Sequence, residues 1–146
     1  MKGSKAQHNM FHKNKHFLSA YVCAGLIFVG SSISTRALSK IQGMHKLLDI
    51  LFSEYSLHFF GFGIFAILLA WGHYKKKSSS LLMRAGMLSV CFGFIIEVYQ
   101  KFLPHRDFSL VDIAVDCAGI VLALGLFWFV VMKKNLFGLI RDKDIG

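Results

Sequence analysis

Apolar residues occur in four runs along the chain, and polar residues are concentrated between the runs. The runs cover residues 17–33, 59–72, 85–96 and 117–132. A helix needs about 20 residues, at about 1.5 Å per residue, to cross the hydrocarbon core of a bilayer. Only the first run approaches that length without an ionisable side chain. The other three runs must therefore extend into flanking polar residues if they are to span a membrane.

These extended runs predict four membrane-spanning helices, three of which are long enough only if they include ionisable side chains near their outer ends. The predicted spans are residues 16–34, 55–73, 81–100 and 110–132. Apart from His16, His73 and Arg84 at the other ends of their spans, the ionisable residues inside them are His58, Glu97, Asp112 and Asp116. Because a charge in hydrocarbon is costly, such side chains usually face the interior of a helix bundle. The predicted fold class is therefore all-α integral membrane, a four-transmembrane-helix bundle.

The segment between the first two spans has the pattern of a short amphipathic helix. Apolar residues recur there at helical spacing, at Leu38, Ile41, Met44, Leu48 and Leu51. Polar residues lie between them, which predicts an interfacial helix on the membrane surface. Residues 16–132 are then a single transmembrane domain. Two basic tails, residues 1–15 and 133–146, flank it.

Composition supports the membrane class and excludes two others. Hydrophobic residues make up 55% of the 146 residues, charged residues 17%, and the mean hydropathy is +0.53. An average soluble domain carries about 25% charged residues. A chain this apolar must bury its surface, which excludes intrinsic disorder. Three cysteines cannot form a disulfide framework, which excludes a small disulfide-stabilised secreted module.

The distribution of basic residues predicts which parts of the chain face the cytoplasm. With four spans, twelve Lys and Arg residues share one side with both termini, and five lie on the other side. The positive-inside rule then predicts that both the N-terminus and the C-terminus are cytoplasmic. These charges are scattered over short loops and tails, so they do not indicate a nucleic-acid partner. A cleaved signal peptide remains an alternative for the first span.

The predicted topology brings polar side chains from three spans and one loop to the outer end of the bundle. The candidate polar site comprises His58, Glu97, Gln100, Arg106, Asp112 and Asp116. Glu97 and Gln100 are three residues apart and share a helix face, and the two aspartates, four apart, share another. Gly93 and Gly119 extend these faces into the bundle, where small residues let helices approach closely.

Some of these residues also have a purely structural interpretation. Ser109 and Asp112 have the spacing of a helix N-cap followed by an acidic third residue. An acidic side chain there also suits the positive end of the helix dipole. Arg106 carries a planar guanidinium suited to carboxylate or phosphate oxygens. It is expected either to bind a phosphate or to neutralise Glu97 or Asp112.

Asp116 lies a full turn deeper than Asp112, beyond the reach of capping. A functional role is one interpretation of Asp116, and a hydrogen bond to Gln100 or His58 is the structural alternative. His58 likewise has two interpretations. It is either a general base or metal ligand, or a hydrogen-bonding residue at the membrane interface.

The polar residues also follow a recognisable order along the chain. A His-Phe pair opens one span, and Glu-x-x-Gln, a short loop with Pro and Arg, then Ser, Asp and Gly follow later. These residues are His58, Phe59, Glu97, Gln100, Pro104, Arg106, Ser109, Asp112, Asp116 and Gly119. The order resembles that of the VanZ-like family of small bacterial membrane proteins over most of residues 31–125. Asp116 stands where the family has an Asn.

The resemblance implies a multi-pass protein of the bacterial cytoplasmic membrane with a role in the cell envelope. The implied role includes reduced susceptibility to teicoplanin-type glycopeptides, the phenotype for which the family is named. Membrane lipids and a lipid-linked or amphiphilic ligand are the implied partners. The outer polar site would then bind a lipid headgroup, a cell-wall precursor or another amphiphile.

A membrane-embedded enzyme is the alternative function. Glu97, Asp116 and His58 would act as acid and base or hold a hard divalent cation, with Arg106 binding a phosphate. A transporter is less favoured, because the chain contains no internal repeat. No nucleotide-binding, nucleophile or metal-ligand motif is present, so no cofactor and no metal site is predicted. The pattern does not predict an oligomeric state.

Overall fold

The computed structural model of the protein describes residues 15–33, 53–75, 80–104 and 106–143, and all regular structure in these ranges is helical. A short 3-10 turn at Lys15–Phe17 leads into the first α-helix. The α-helices of the described ranges are α1 (Leu18–Ser32), α2 (Glu54–Lys75), α3 (Leu81–Gln100) and α4 (Leu110–Lys143). The predicted all-α class is confirmed.

Successive helices run in opposite directions, so their ends meet in two groups. Gln100, at the end of α3, donates its side-chain N–H to the carbonyl oxygen of Ser31 at the end of α1, over 3.3 Å. Phe17, just before α1, contacts His73 near the end of α2, with ring centroids 5.1 Å apart. The end at which α1 and α3 finish, and α2 and α4 begin, is called the polar end below.

The closest helix packing is between α2 and α4, where glycines line the crossing. A Cβ atom added to Gly119 would lie 3.0 Å from the carbonyl carbon of Phe59, and nearer still to its oxygen. A Cβ added to Gly63 would lie 3.2 Å from the carbonyl oxygen of Gly119. The two backbones therefore touch without intervening side chains. An apolar core lies beside this contact and includes Phe62, Phe65, Ala66, Ile96 and Ile120.

The distribution of polarity is the reverse of that in a soluble bundle. Large apolar side chains are exposed on the outer faces of all four α-helices of the described ranges, as in Leu26, Ile64, Met83 and Val121, each more than half exposed. The buried positions, in contrast, include three acidic residues and a glutamine at the polar end. An apolar exterior this extensive fits a lipid environment, and buried charges fit the interior of a membrane bundle.

Three helices of the described residues are long and apolar enough to cross a membrane, over Glu54–Tyr74, Leu81–Gln100 and Leu110–Val131. Helix α1 has 15 residues. That is about 22 Å of helix, shorter than a hydrocarbon core of about 30 Å. The first of the four predicted spans therefore stays a prediction. Helix α4 continues beyond residue 132, the predicted end of the fourth span. The predicted interfacial helix over residues 38–51 lies outside the described residues.

Candidate functional site

The polar residues that the sequence groups together lie at the polar end of the bundle, inside it. Glu97 is 0% exposed, Gln100 1% and Asp116 2%, and His58 and Asp112 are also buried. Arg106, in the loop between α3 and α4, is half-buried. This burial means that the side chains face other helices and not the surrounding lipid. Whether they form a functional site stays a prediction.

His58 joins α2 to α4 through its imidazole ring. Its Nδ1 lies 3.0 Å from Oδ1 of Asp116, a hydrogen-bonding distance. Of the two partners proposed for Asp116 from the sequence, His58 or Gln100, the structure has His58. The other ring nitrogen, Nε2, lies 4.0 Å from Oε1 of Glu97, which is too long for a hydrogen bond. The ring is therefore anchored on one side and faces a second carboxylate on the other.

Glu97 reaches from α3 to the beginning of α4. Its Oε2 accepts the backbone N–H of Ser109 over 3.0 Å. The hydroxyl of Ser109 in turn accepts the backbone N–H of Asp112 over 3.1 Å, which is the predicted N-cap. The first turn of α4 is thus held by a side chain of α3 and by its own capping serine. Oε1 of Glu97 and Oδ1 of Asp112 are buried without a hydrogen-bond partner among the described residues.

Arg106 pairs with a residue that the sequence analysis did not single out. Its NH1 forms an ion pair with Glu54 at the start of α2. The ion pair with Glu97 or Asp112, one of the two expectations for Arg106, is therefore wrong, and phosphate binding stays a prediction. The NH2 of Arg106 also donates to the carbonyl oxygen of Ile33 over 2.9 Å. Burial lowers the pKa of Arg106, and the nearby carboxylate of Asp112 opposes that effect.

Glu54 was missed because it precedes the predicted second span by one residue. Its spacing from His58, four residues later, was the available signal, since residues four apart share a helix face. Glu54 and five of the residues predicted from the sequence form a group of six side chains, the polar cluster. They are Glu54, His58, Glu97, Arg106, Asp112 and Asp116.

Gln100 lies at the same depth but does not contact the polar cluster through a described hydrogen bond. Its amide N–H instead donates to the Ser31 carbonyl oxygen, and this contact holds α1 against α3. The structure therefore gives Gln100 a helix-packing role, although the sequence pattern grouped it with Glu97.

Asp116 fits into the bundle because the facing position on α3 is a glycine. A Cβ atom added to Gly93 would lie 2.9 Å from Oδ2 of Asp116, closer than real Cβ contacts. That Oδ2 atom is buried and has no hydrogen-bond partner among the described residues. Gly93 therefore makes room for one half of the carboxylate, while His58 binds the other half.

The polar cluster contains more negative than positive groups. It has four carboxylates and one guanidinium, which leaves three formal negative charges when all of them are ionised and His58 is neutral. A cation, or protons held by the carboxylates, would reduce this imbalance. Glu54, His58 and Asp112 each offer a ligand atom, and these three atoms lie within 4.8 Å of one another. The cluster is thus able to accept a cation or to bind and release protons.

A groove leads from the polar cluster along the bundle between α1 and α2. Its volume is about 250 Å³. Cys23 and Ile27 of α1 line one wall, and Leu57 and Phe62 of α2 line the other. Glu54, His58 and Arg106 line its polar end. The groove is therefore apolar along its length and charged where it meets the cluster.

Comparisons with protein-family models, curated proteins and solved structures found no match to this chain. The resemblance to the VanZ-like family therefore rests on the order of the polar residues alone and stays a hypothesis.

Proposed function

We propose that the protein is a multi-pass membrane protein that binds an amphiphile in the groove between α1 and α2. The observation that carries the proposal is the shape of this groove, which joins an apolar channel to a charged end. A lipid chain would lie against Ile27 and Phe62, and the headgroup would meet Glu54, His58 and Arg106. Ligand sites usually combine mostly apolar walls with a few polar groups that fix orientation.

The charges at the polar end favour a headgroup that carries both a positive and a negative charge. Arg106 is a donor for a phosphate oxygen, while the surplus of carboxylates attracts an ammonium group. A purely anionic headgroup would gain the contact with Arg106 but would be repelled by the nearby carboxylates. A zwitterionic headgroup, such as phosphoethanolamine, satisfies both. This argument favours zwitterionic over anionic or uncharged amphiphiles.

The proposal places the polar end in the outer leaflet of a bacterial cytoplasmic membrane. The support is the count of basic residues, twelve with the termini against five on the polar side. A role in the cell envelope follows from that location and from the resemblance to the VanZ-like family. A reporter fused after Pro104 tests sidedness. A cytoplasmic signal from that fusion would contradict the outer location.

Lipid photocrosslinking tests whether the groove binds an amphiphile. The full chain in lipid nanodiscs receives phosphatidylethanolamine with a diazirine in its acyl chain, and mass spectrometry locates the crosslinked residues. We expect crosslinks on groove residues such as Cys23 and Ile27. Unlabelled phosphatidylethanolamine should compete more strongly than phosphatidylglycerol or diacylglycerol, because only the first carries both charges.

Two glycines of α1 supply a matched pair of variants for this experiment. Gly30 lines the groove and Gly25 is not among the lining residues. A Cβ atom added at either position meets no atom within 4 Å, so a substitution at either one starts without a clash at the Cβ. Gly30→Phe should fill the groove and remove the crosslinks, whereas Gly25→Phe should leave them in place. Equal crosslinking in the two variants, or labelling spread over all outer helix faces, would refute the proposal.

The envelope role is tested separately, in cells with and without the gene. We expect the protein to lower susceptibility to teicoplanin-type glycopeptides, and Gly30→Phe to lose the effect while accumulating normally. Unchanged susceptibility to all envelope-active compounds would reject the envelope role but not lipid binding.

A membrane-embedded enzyme is the second candidate, and one contact favours it. The 3.0 Å contact between His58 Nδ1 and Asp116 orients the ring and leaves Nε2 for proton transfer. This is how a carboxylate orients a general base. Under this hypothesis Asp116→Asn removes the effect of the protein on the susceptibility of cells to glycopeptides, while the variant still accumulates. Normal activity of that variant would exclude a catalytic His58–Asp116 pair.

A further inference from the structure

We propose that the polar cluster binds one divalent metal ion through Glu54, His58 and Asp112. The three side chains come from α2 and from the first turn of α4, and their ligand atoms lie within 4.8 Å of one another. Two atoms that bind the same ion through bonds of about 2.0–2.2 Å are at most about 4.4 Å apart. Small side-chain movements would bring the three ligand atoms within that limit. The proposal does not depend on lipid binding in the groove.

The orientation of His58 supports a ligand role for its Nε2 atom. Nδ1 is engaged by Oδ1 of Asp116 at 3.0 Å, so Nε2 is the nitrogen left to carry a lone pair. Metal-binding histidines almost always bond a carboxylate or carbonyl through the other ring nitrogen, which fixes the tautomer and the ring orientation. Asp116 would therefore orient His58 without binding the ion itself.

The burial of Glu97, with one carboxylate oxygen unpaired, is a second observation that points to a cation. This residue is 0% exposed, and its Oε1 atom has no hydrogen-bond partner among the described residues. The same atom is directed at His58 Nε2, 4.0 Å away. A buried carboxylate oxygen without a partner is costly. An ion bound at Nε2 would supply that partner, and Glu97 would become a fourth ligand or a neighbouring acceptor.

Arg106 competes with the ion, since its guanidinium pairs with the Glu54 carboxylate. This competition gives the proposal an unusual consequence. Removing the arginine charge should strengthen metal binding, because one positive charge leaves the site and Glu54 becomes free to bind the ion. A cluster that only holds helices together would not respond in this direction.

The ligand set indicates which metals fit. Imidazole nitrogen suits Zn²⁺ and other transition ions, whereas Mg²⁺ and Ca²⁺ prefer oxygen ligands only. Carboxylates bind Zn²⁺ and Mn²⁺ as well. One nitrogen with two or three carboxylate oxygens therefore favours Zn²⁺ or Mn²⁺. The groove end beside His58 leaves access for a further ligand such as water.

Metal binding to the full chain in detergent micelles tests the proposal. The chelator-treated protein is titrated with Zn²⁺ and with Mn²⁺, and bound metal is measured by elemental analysis after removal of free ions. The wild type is expected to bind one equivalent that Asp112→Asn and Glu54→Gln lose. Asp116→Asn should bind about 10- to 100-fold more weakly, as expected for a residue that orients a ligand. Arg106→Gln should bind more tightly than the wild type.

Two controls separate this site from other sites and from misfolding. Asp107→Asn makes the same chemical change as Asp112→Asn at an exposed loop residue, and His16→Gln tests the opposite end. Both variants should still bind one equivalent of metal. Added metal should also raise the unfolding temperature of the wild type, because an ion that binds only the folded protein stabilises it. It should not raise that of Asp112→Asn, which lacks a ligand of the site. No bound equivalent in the wild type, or an equivalent that survives in both Asp112→Asn and Glu54→Gln, would overturn the proposal.

Discussion

The contact between α2 and α4 gives the sharpest stability prediction, at Gly119. The backbone of Phe59 lies against Gly119 so closely that an alanine Cβ would be 3.0 Å from its carbonyl carbon and 3.2 Å from its Cα, with the oxygen nearer still. Ordinary van der Waals contact begins at 3.4 Å. The obstacle is backbone, so no side-chain rotation can relieve the overlap. Gly119→Ala must therefore push the two helices apart.

The size of the effect follows from this geometry. A helix separation of about 1 Å relieves the overlap, and overpacking of this kind costs about 1–3 kcal/mol. We expect the upper part of that range, because rigid helices must move. The same movement stretches the 3.0 Å contact between His58 and Asp116 beyond hydrogen-bonding distance. The variant should thus lose helix packing and the anchoring of the His58 ring together.

Unfolding of the full chain in micelles, followed by circular dichroism during titration with a denaturing detergent, measures the change. Gly125→Ala is the matched control, since it lies on the same helix and its added Cβ meets no atom within 4 Å. It should keep wild-type stability or exceed it, because alanine favours helix. Equal stabilities of Gly119→Ala and Gly125→Ala would refute the close approach of α2 and α4.

Two further stability predictions use the same measurement. Ser109→Ala should destabilise the protein by about 1 kcal/mol, because its hydroxyl caps α4, whereas Ser80→Ala should change little, because Ser80 makes no side-chain cap bond to α3. An equal loss in both variants would contradict the capping argument. Ser89→Ala should leave stability unchanged or raise it, because the Ser89 hydroxyl is buried without a hydrogen-bond partner among the described residues. A clear loss of stability there would mean that the hydroxyl has a partner in the membrane.

The local parts of the site were predictable from the sequence. Helical spacing places Asp112 and Asp116 on one face of α4, and the spacing of Ser109 from Asp112 identifies the N-cap. Alternating helix directions then bring His58 and Glu97 to the same end. These inferences need only helix geometry and the order of the spans, and the structure agrees with each of them at the level of position.

The pairing of charges between distant elements was not predictable in the same way. One of the two expectations for Arg106, besides phosphate binding, was that it neutralises Glu97 or Asp112, which are close in sequence. It pairs instead with Glu54, in a helix two elements earlier. The choice depends on how the loop crosses the start of α2, and hydrophobic periodicity carries no information about that. The groove between α1 and α2 was missed for the same reason, since it is formed by the angle and distance between two helices.

The energetics of the polar cluster favour the proposal that it binds a ligand over the alternative that it only stabilises the fold. Buried ion pairs rarely stabilise a fold, and buried carboxylate oxygens without partners reduce stability. Among the described residues, Glu97, Asp112 and Asp116 each have one such oxygen. The helices are already held together by the backbone contact at Gly119 and by the apolar core. A scaffold would therefore be more stable with apolar residues in these places, whereas a site that binds a cation or a charged headgroup requires oxygen atoms that remain free to accept it.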